Sequence, residues 1–287
     1  MLDSDQGGDG EKMNLNGTLE IVRLTDVGQR REHNEDAVAS DVETGLVVLA
    51  DGMGGYKAGE VASEIAVLTL VSELREKLFG QPVGGVDKES GLLQESVLLR
   101  DAVEKANSAI YNVSQSQPQC AGMGTTLVAG IFTDNRICVG HIGDSRMYRL
   151  RGEDFQQMTE DHSLLNEQLK SGLITPEQAK TSSNKNLVTR ALGVDPAVEL
   201  ELREYDVLPG DIYLLCSDGL SDLVEDEEIQ LTLTALSANL ELAAHQLVQM
   251  ANDNGGKDNI SVILARPLGS FPRERKWIHS LLGWFKR

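Results

Sequence analysis

The sequence lacks the features that cross-link small proteins or anchor a chain in a membrane. Its three cysteines are an odd, widely spaced set that matches no zinc-binding spacing, so we expect buried thiols in a reducing compartment. No run of eighteen apolar residues occurs, which excludes a transmembrane helix. The acidic N-terminus lacks the apolar run of a secretory signal. The sequence therefore predicts a cytoplasmic protein.

Positive charge is also scarce. The 287 residues include 26 Lys and Arg against 45 Asp and Glu, a formal net charge of −19. A nucleic-acid-binding surface needs a basic footprint that this chain does not offer, so we expect no nucleic-acid partner. The acidic excess either serves solubility alone or includes acids that hold cations, and the positions of the acids decide between the two.

Hydrophobic periodicity predicts short strands with helices in pairs between them. The predicted strands are Leu19–Leu24, Val38–Ser40, Leu46–Ala50, Thr126–Phe132, Arg136–Gly143, Met147–Leu150, Glu199–Tyr205, Asp211–Cys216 and Ile260–Ala265. The predicted helices are Ala58–Phe79, Leu92–Val113, Glu225–Leu233 and Leu240–Asn252. Two antiparallel sheets, packed together with a helix pair on each outer face, would bury every apolar helix face. We therefore predict an α+β fold, a four-layer α-β-β-α sandwich, rather than a doubly wound parallel sheet, in which strands and helices would alternate.

Six acidic residues share one position, at an end of an apolar strand, and most have a glycine beside them. They are Glu35, Asp36, Asp51, Asp144, Asp218 and Asp258. Any one of them could be an ordinary turn acid, because Asp-Gly is a common turn pair. Gathered at one end of a sandwich, they would repel one another without a cation among them. Oxygen ligands favour Mg²⁺ or Mn²⁺ over zinc, so the pattern favours a site for hard divalent cations.

The segments that hold these acids follow a family pattern, in order along the chain. They are Arg31–Ala37 (REHNEDA), Ala50–Gly55 (ADGMGG), Gly122–Thr126 (GMGTT), Gly140–Arg146 (GHIGDSR), Cys216–Leu220 (CSDGL) and Lys257–Asn259 (KDN). Together they resemble the metal-dependent protein phosphatases of the protein phosphatase 2C type, in the bacterial branch that reverses Ser/Thr kinases of eukaryotic type. The resemblance runs from about Leu19 to Ala265, and that family has the sandwich fold predicted above.

The resemblance implies a metal centre with two core ions, Mg²⁺ or Mn²⁺. Asp51 would bridge the two ions, and the carbonyl of Gly52 would bind the first. Asp218 and Asp258 would bind the second ion.

Further residues complete the implied site. Glu35 and Asp36 would bind the second ion directly or through water, and Asp144 would help to hold a third, weaker ion. Arg31 would bind the substrate phosphate, because its planar donor fork suits phosphate oxygens. Arg31 and Asp51 are thus the predicted catalytic residues. A hydroxide that bridges the core ions would attack phosphorus directly, without a phosphoenzyme.

One position departs from the animal members of the family, which carry a histidine directly after the Asp-Gly pair. Met53 stands there, as in bacterial relatives, and cannot protonate a leaving group. His33, His162 or metal-bound water could serve as the acid, and our hypothesis is that water suffices.

Two regions lie outside the expected catalytic domain, which spans residues 18–268 and includes a flap at about 163–198. Residues 1–17 form an acidic, flexible N-terminus, and residues 269–287 a basic tail. Residues 271–287 hold five Lys and Arg against one acid, a net charge of +4. The tail's apolar residues fall on one helical face: Trp277, Ile278, Leu281, Leu282 and Phe285. Such a helix could lie on the inner membrane face, dock on the acidic domain or bind a partner.

Three functions fit these observations. The first is an active Mg²⁺- or Mn²⁺-dependent phosphatase, a monomer that hydrolyses phosphoserine and phosphothreonine in proteins and opposes a cognate kinase. The second is a catalytically silent module that binds phosphoproteins or a partner; such a module would have lost a metal acid, and none is missing. The third is a phosphatase dedicated to one regulatory partner, which would need a sensor or coiled-coil domain.

Overall fold

The structure is a computed structural model, and it describes residues 14–55, 57–80, 85–175, 178–179 and 187–272. Two antiparallel sheets and six α-helices form within these residues. The strands are β1 (Leu19–Asp26), β2 (Asp36–Asp41), β3 (Leu46–Met53), β4 (Gly124–Thr125), β5 (Leu127–Thr133), β6 (Arg136–Ile142), β7 (Arg146–Arg151), β8 (Asp154–Gln157), β9 (Glu201–Asp206), β10 (Ile212–Cys216) and β11 (Ile260–Pro267). The helices are α1 (Ala58–Gly80), α2 (Gln94–Ser116), α3 (Leu164–Lys170), α4 (Asp218–Ser221), α5 (Asp226–Ala235) and α6 (Leu240–Asp253).

The two sheets pack face to face. One has the order β1-β11-β10-β7-β8, and the other has the order β2-β3-β5-β6-β9, with β4 paired to β3. Strands in the middle of each sheet are buried on both faces, which explains why β3 and β5 read as continuous apolar runs rather than as alternating patterns.

Three apolar layers separate the four layers of secondary structure. The inner layer lies between the sheets, where Val47 and Leu49 of β3 share a core with Tyr213 and Leu215 of β10. The ring of Phe132 meets that of Tyr213 edge to face, with centroids 5.3 Å apart. One outer layer joins α1 and α2 to the β3 sheet, and the other joins α5 and α6 to the β10 sheet. The predicted α-β-β-α sandwich is therefore confirmed.

The structure differs from the prediction in several short elements. β3 runs three residues past Ala50, to Met53, because Gly52 and Met53 pair with β4. The prediction did not include β4, β8 or α4, which span two to four residues. Two to four residues span at most about two strand periods or about one helical turn, which is too little of the hydrophobic pattern to identify an element. In the described part of the predicted flap, one regular helix forms, α3.

The N-terminal residues 1–13 and the basic tail from residue 273 lie outside the described residues, so the predictions for them stay predictions. Among the helices that the structure describes, none is both long enough and apolar enough to cross a membrane.

Candidate metal centre

Five aspartates from both sheets meet at one end of the sandwich. Asp36 opens β2 and stands directly opposite Asp51 of β3 in the strand register. Asp218 opens α4, two residues after β10 ends, and Asp258 lies two residues before β11. Asp144 follows β6. The ends of five strands thus fix the positions of these carboxylates.

Their charges act on one another strongly. Desolvation of the Asp51 carboxyl, followed by the charges of Asp36, Asp218, Asp144 and Asp258, holds its pKa well above the usual range. Desolvation raises the pKa of Asp36 to about 6, although a hydrogen bond from Ser217 opposes the shift. Desolvation and the charge of Asp161 raise the pKa of Asp144 to about 6. An arrangement of this kind favours protons or metal cations among the carboxylates.

Two carboxylate oxygens in the centre are buried without a hydrogen-bond partner among the described residues: Oδ1 of Asp36 and Oδ1 of Asp218. The other oxygen of Asp36 accepts a 2.8 Å hydrogen bond from the Ser217 hydroxyl. Buried polar atoms are nearly always paired, so the two orphaned oxygens indicate a missing positive partner. Hard oxygen donors of this type suit Mg²⁺ and Mn²⁺, and the residues present therefore fit the divalent ions that the sequence predicts.

Gly52 occupies a place that only glycine can fill. A Cβ atom on it would lie 2.1 Å from the carbonyl oxygen of Gly59 and 2.6 Å from that of Glu35. Its N–H donates to the Glu35 carbonyl at 3.0 Å. This close approach of three backbone segments joins β3, the start of α1 and the segment before β2.

Arg31 and Glu35 lie at the rim of the centre. Nη2 of Arg31 donates to Oδ2 of Asp258 at 2.6 Å, and its Nη1 lies 4.0 Å from Oε2 of Glu35. Burial alone would lower the pKa of Arg31, but the charge and hydrogen bond of Asp258 raise it on balance. The Arg31 side chain is 46% exposed, so its guanidinium is available to a ligand at the mouth of the centre.

Asn259 holds the segment before β2 against β11. Its Oδ1 accepts from the backbone N–H of Glu35 at 2.8 Å, and its Nδ2 donates to the carbonyls of Val27 and His33. Sequence reasoning quoted Asn259 in a motif but gave it no role. Its position directly after Asp258 was the available signal.

Two threonines fix the backbone of Asp51, and sequence reasoning quoted both in a motif but gave neither a role. The Thr126 hydroxyl accepts from the Asp51 N–H at 3.2 Å, and the Thr126 N–H donates to the Asp51 carbonyl at 2.9 Å. The Thr125 hydroxyl donates to the same carbonyl at 2.8 Å. The two threonines of the Gly-Met-Gly-Thr-Thr motif therefore hold the backbone of Asp51, at the middle of the acid cluster, through three hydrogen bonds.

Comparison with known proteins gives a consistent result. The family described as protein phosphatase 2C matches residues 27–264. Protein phosphatase PhpP of Streptococcus pneumoniae is 38% identical over 252 residues, which are 86% of this chain and 96% of PhpP. A crystal structure of the Mycobacterium tuberculosis serine/threonine phosphatase PstP is similar with a TM-score of 0.77 and 38% identity, and the match covers 87% of this chain and 98% of that one. A structure of the PstP catalytic domain in complex with two manganese ions has a TM-score of 0.75, 38% identity and the same coverage.

Proposed function

This chain belongs to the protein phosphatase 2C family and is a metal-dependent protein serine/threonine phosphatase, and on that premise we propose how its own residues perform the reaction. The observation that carries the proposal is the meeting of five aspartates, two of whose buried oxygens have no hydrogen-bond partner in the described part of the chain. We assign to this cluster two Mg²⁺ or Mn²⁺ ions and, at Asp144, a third and weaker one.

The ligand roles follow the predicted assignment. Two bound divalent cations neutralise phosphate charge and lower the pKa of a water shared between them. Asp51 would contact both core ions, since the charges of the other four aspartates all raise the pKa of its carboxyl, as expected for a residue at the middle of the cluster. The Gly52 carbonyl would bind the first ion. Asp218 and Asp258 would bind the second ion.

Asp36 and Glu35 would complete the second site. The register places Asp36 opposite Asp51, and the Asp36 Oδ1, which has no hydrogen-bond partner among the described residues, would be available to bind an ion. Glu35 is closer to the rim, near Arg31, and would act directly or through water.

Arg31 would bind the phosphate of the substrate. Its guanidinium already holds one carboxylate oxygen of Asp258, and phosphate oxygens suit the same donor fork. A phosphomonoester that carries close to two negative charges would compete with Asp258 for these donors. We expect Arg31→Ala to lower kcat/KM for phosphopeptides while the affinity for Mn²⁺ changes little.

The decisive experiment is hydrolysis of a phosphothreonine peptide with and without Mn²⁺. The variants are Asp51→Asn, Asp218→Asn and the exposed control Asp195→Asn. We expect metal-dependent phosphate release that the two centre variants lose and the control keeps. A well-folded wild type that releases no phosphate with Mn²⁺ present would contradict catalysis and support a phosphoprotein-binding module.

We also propose a cellular setting. The enzyme would act as a monomer in the cytoplasm, on phosphoproteins that a cognate Ser/Thr kinase modifies. Light scattering after size exclusion tests the monomer, since one chain weighs 31.2 kDa. A mass near twice that value would contradict it.

The basic tail would place the enzyme at an anionic membrane surface. Its five basic residues and single apolar face match a helix that lies in the headgroup layer. The test is co-sedimentation with phosphatidylglycerol vesicles and with neutral vesicles, for the full chain and for residues 1–272. This truncation keeps Phe271, whose N–H donates to Asn135. Equal behaviour of both chains would refute the membrane contact and favour docking on the domain or a partner.

A further inference from the structure

A group of titratable side chains lies beside the metal centre and has no part in the mechanism above. His141, His162 and Glu201 bring one ligand atom each to within 4.8 Å of one another. The two imidazole rings stack with centroids 4.7 Å apart and an angle of 17° between their planes. A group of two histidines and one carboxylate could hold a metal ion, so the protons on the ring nitrogens have to be placed first.

The hydrogen bonds fix these protons. Nε2 of His141 lies 2.7 Å from the carbonyl oxygen of Glu160 and 3.3 Å from the Glu160 backbone nitrogen. The carbonyl oxygen can only accept and makes the shorter contact, so we assign the proton of the His141 ring to this nitrogen. Nδ1 of His162 lies 3.2 Å from the N–H of Gly143 and therefore accepts. The neutral His162 ring then carries its proton on Nε2, which faces Oε2 of Glu201 at 3.3 Å. Both Nε2 atoms are donors, which disfavours a metal ion between them and indicates a hydrogen-bonded array.

His162 holds Gly143 from both sides. Nδ1 of its ring accepts from the Gly143 N–H, and the backbone N–H of His162 donates to the Gly143 carbonyl at 2.9 Å. Gly143 has a φ of +102°, and a Cβ atom there would lie 2.7 Å from the Thr126 side chain. The chain thus turns sharply at a position that excludes other residues, and the next residue is Asp144.

The same histidine lies at the base of the flap. Its carbonyl accepts from the Thr189 N–H at 2.8 Å, where the flap returns to the body. The next residue, Ser163, forms a β-bridge with Val188, and its hydroxyl caps the first turn of α3. Residue 162 therefore joins the turn that carries Asp144 to both ends of the flap.

We propose that His162 is a positioning residue, which fixes the Gly143 peptide so that the Asp144 carboxylate stays directed into the acid cluster. Glu201 supports it by accepting from the ring and keeping the proton on Nε2. The inference rests on the proposed role of Asp144 as a ligand of the weakest ion. It assigns His162 no contact with substrate.

The test measures Mn²⁺ binding by isothermal titration calorimetry on the full chain. We expect His162→Ala to weaken the weakest class of sites about fivefold, the effect of losing one hydrogen bond, and to leave the tighter sites unchanged. His162→Asn should remain within about twofold of wild type, because Oδ1 of asparagine can accept from Gly143 where Nδ1 did. His245→Ala is the matched control, since His245 is exposed on α6.

A second measurement is independent of binding. The ¹⁵N spectrum of the wild-type imidazoles should show His162 protonated at Nε2 and unprotonated at Nδ1. Protonation at Nδ1 would overturn the inference, and so would a folded His162→Ala enzyme that binds the weakest Mn²⁺ as tightly as wild type. If His162→Ala does not fold, His162→Asn and the spectrum decide.

The ligand role of Asp144 is tested separately. Asp144→Asn should remove the weakest class of Mn²⁺ sites, and a second substitution, His162→Ala, should then have no further effect on binding. If Asp144→Asn keeps every Mn²⁺ site, the ligand role is wrong and the inference on His162 fails with it. If Asp144→Asn removes the site but His162→Ala does not weaken it, only the inference on His162 fails.

Discussion

Replacing Asp144 by asparagine should make the metal-free protein more stable. Asp144 is buried, with 8% of its surface exposed. Desolvation and the charges of Asp161 and Asp222 raise the pKa of its carboxyl from 3.8 to about 6. A raised pKa means that folding favours the protonated form, so the ionised carboxylate costs stability at neutral pH.

The size of the effect follows from the two pKa values. A pKa that rises from 3.8 to about 6 corresponds to about 3 kcal/mol of stability. This stability is fully present below pH 4 and is lost as the pH rises through about 6. Asparagine has nearly the same shape and carries no charge, so Asp144→Asn should regain up to about 3 kcal/mol at pH 7.5. For a chain of this length that is about 6 °C in Tm.

The assay is thermal unfolding followed by circular dichroism in EDTA, at pH 7.5 and at pH 5. The advantage of Asp144→Asn should fall to roughly half at pH 5, because most of the wild-type carboxyl is then protonated in the folded state. The exposed control Asp195→Asn should leave Tm unchanged at both values. A variant that is no more stable than wild type at pH 7.5, or an advantage that does not depend on pH, would refute the reasoning.

Three further predictions concern the same end of the sandwich. Mn²⁺ at one hundred times its dissociation constant should stabilise the wild type by about 2.7 kcal/mol. Differential scanning calorimetry would show this as a rise in Tm that EDTA reverses, and an unchanged Tm would contradict the metal centre. Gly52→Ala should prevent folding or lower Tm sharply, because its Cβ would lie 2.1 Å from the Gly59 carbonyl oxygen. Gly55→Ala should fold normally, because no atom of the described residues outside its chain neighbours would lie within 4 Å of the new Cβ. Asn259→Ala should lower the free energy of unfolding, measured in urea, by about 2 kcal/mol, because it removes the hydrogen bonds that Asn259 makes to the backbone of the segment before β2. It should also weaken Mn²⁺ binding. An unchanged Mn²⁺ affinity would show that other contacts hold this segment in place.

The sequence predicted the sandwich because its signals are local and repeated. Turn residues separate the apolar strands and the helix pairs along the chain. An acidic residue at the end of a strand can be recognised within one short motif. The contacts that position the acids are of another kind. Asn259 bonds to residues more than two hundred positions earlier in the chain, and Thr126 to Asp51 across two helices. No periodic pattern records such a pairing, and single side-chain hydrogen bonds were therefore found only in the structure.

The metal centre and the stability of the apoprotein are opposed in this fold. In the proposed assignment, carboxylate oxygens that have no partner among the described residues would bind the cations, and for the same reason they would destabilise the protein without cations. The protein can fold in spite of this loss of stability because the cluster lies at the ends of strands that pack into three apolar layers. Substitutions that neutralise an acid should therefore raise the stability of the apoprotein and lower its affinity for metal together. A variant that gained in both would show that the carboxylates are held apart by contacts other than those described.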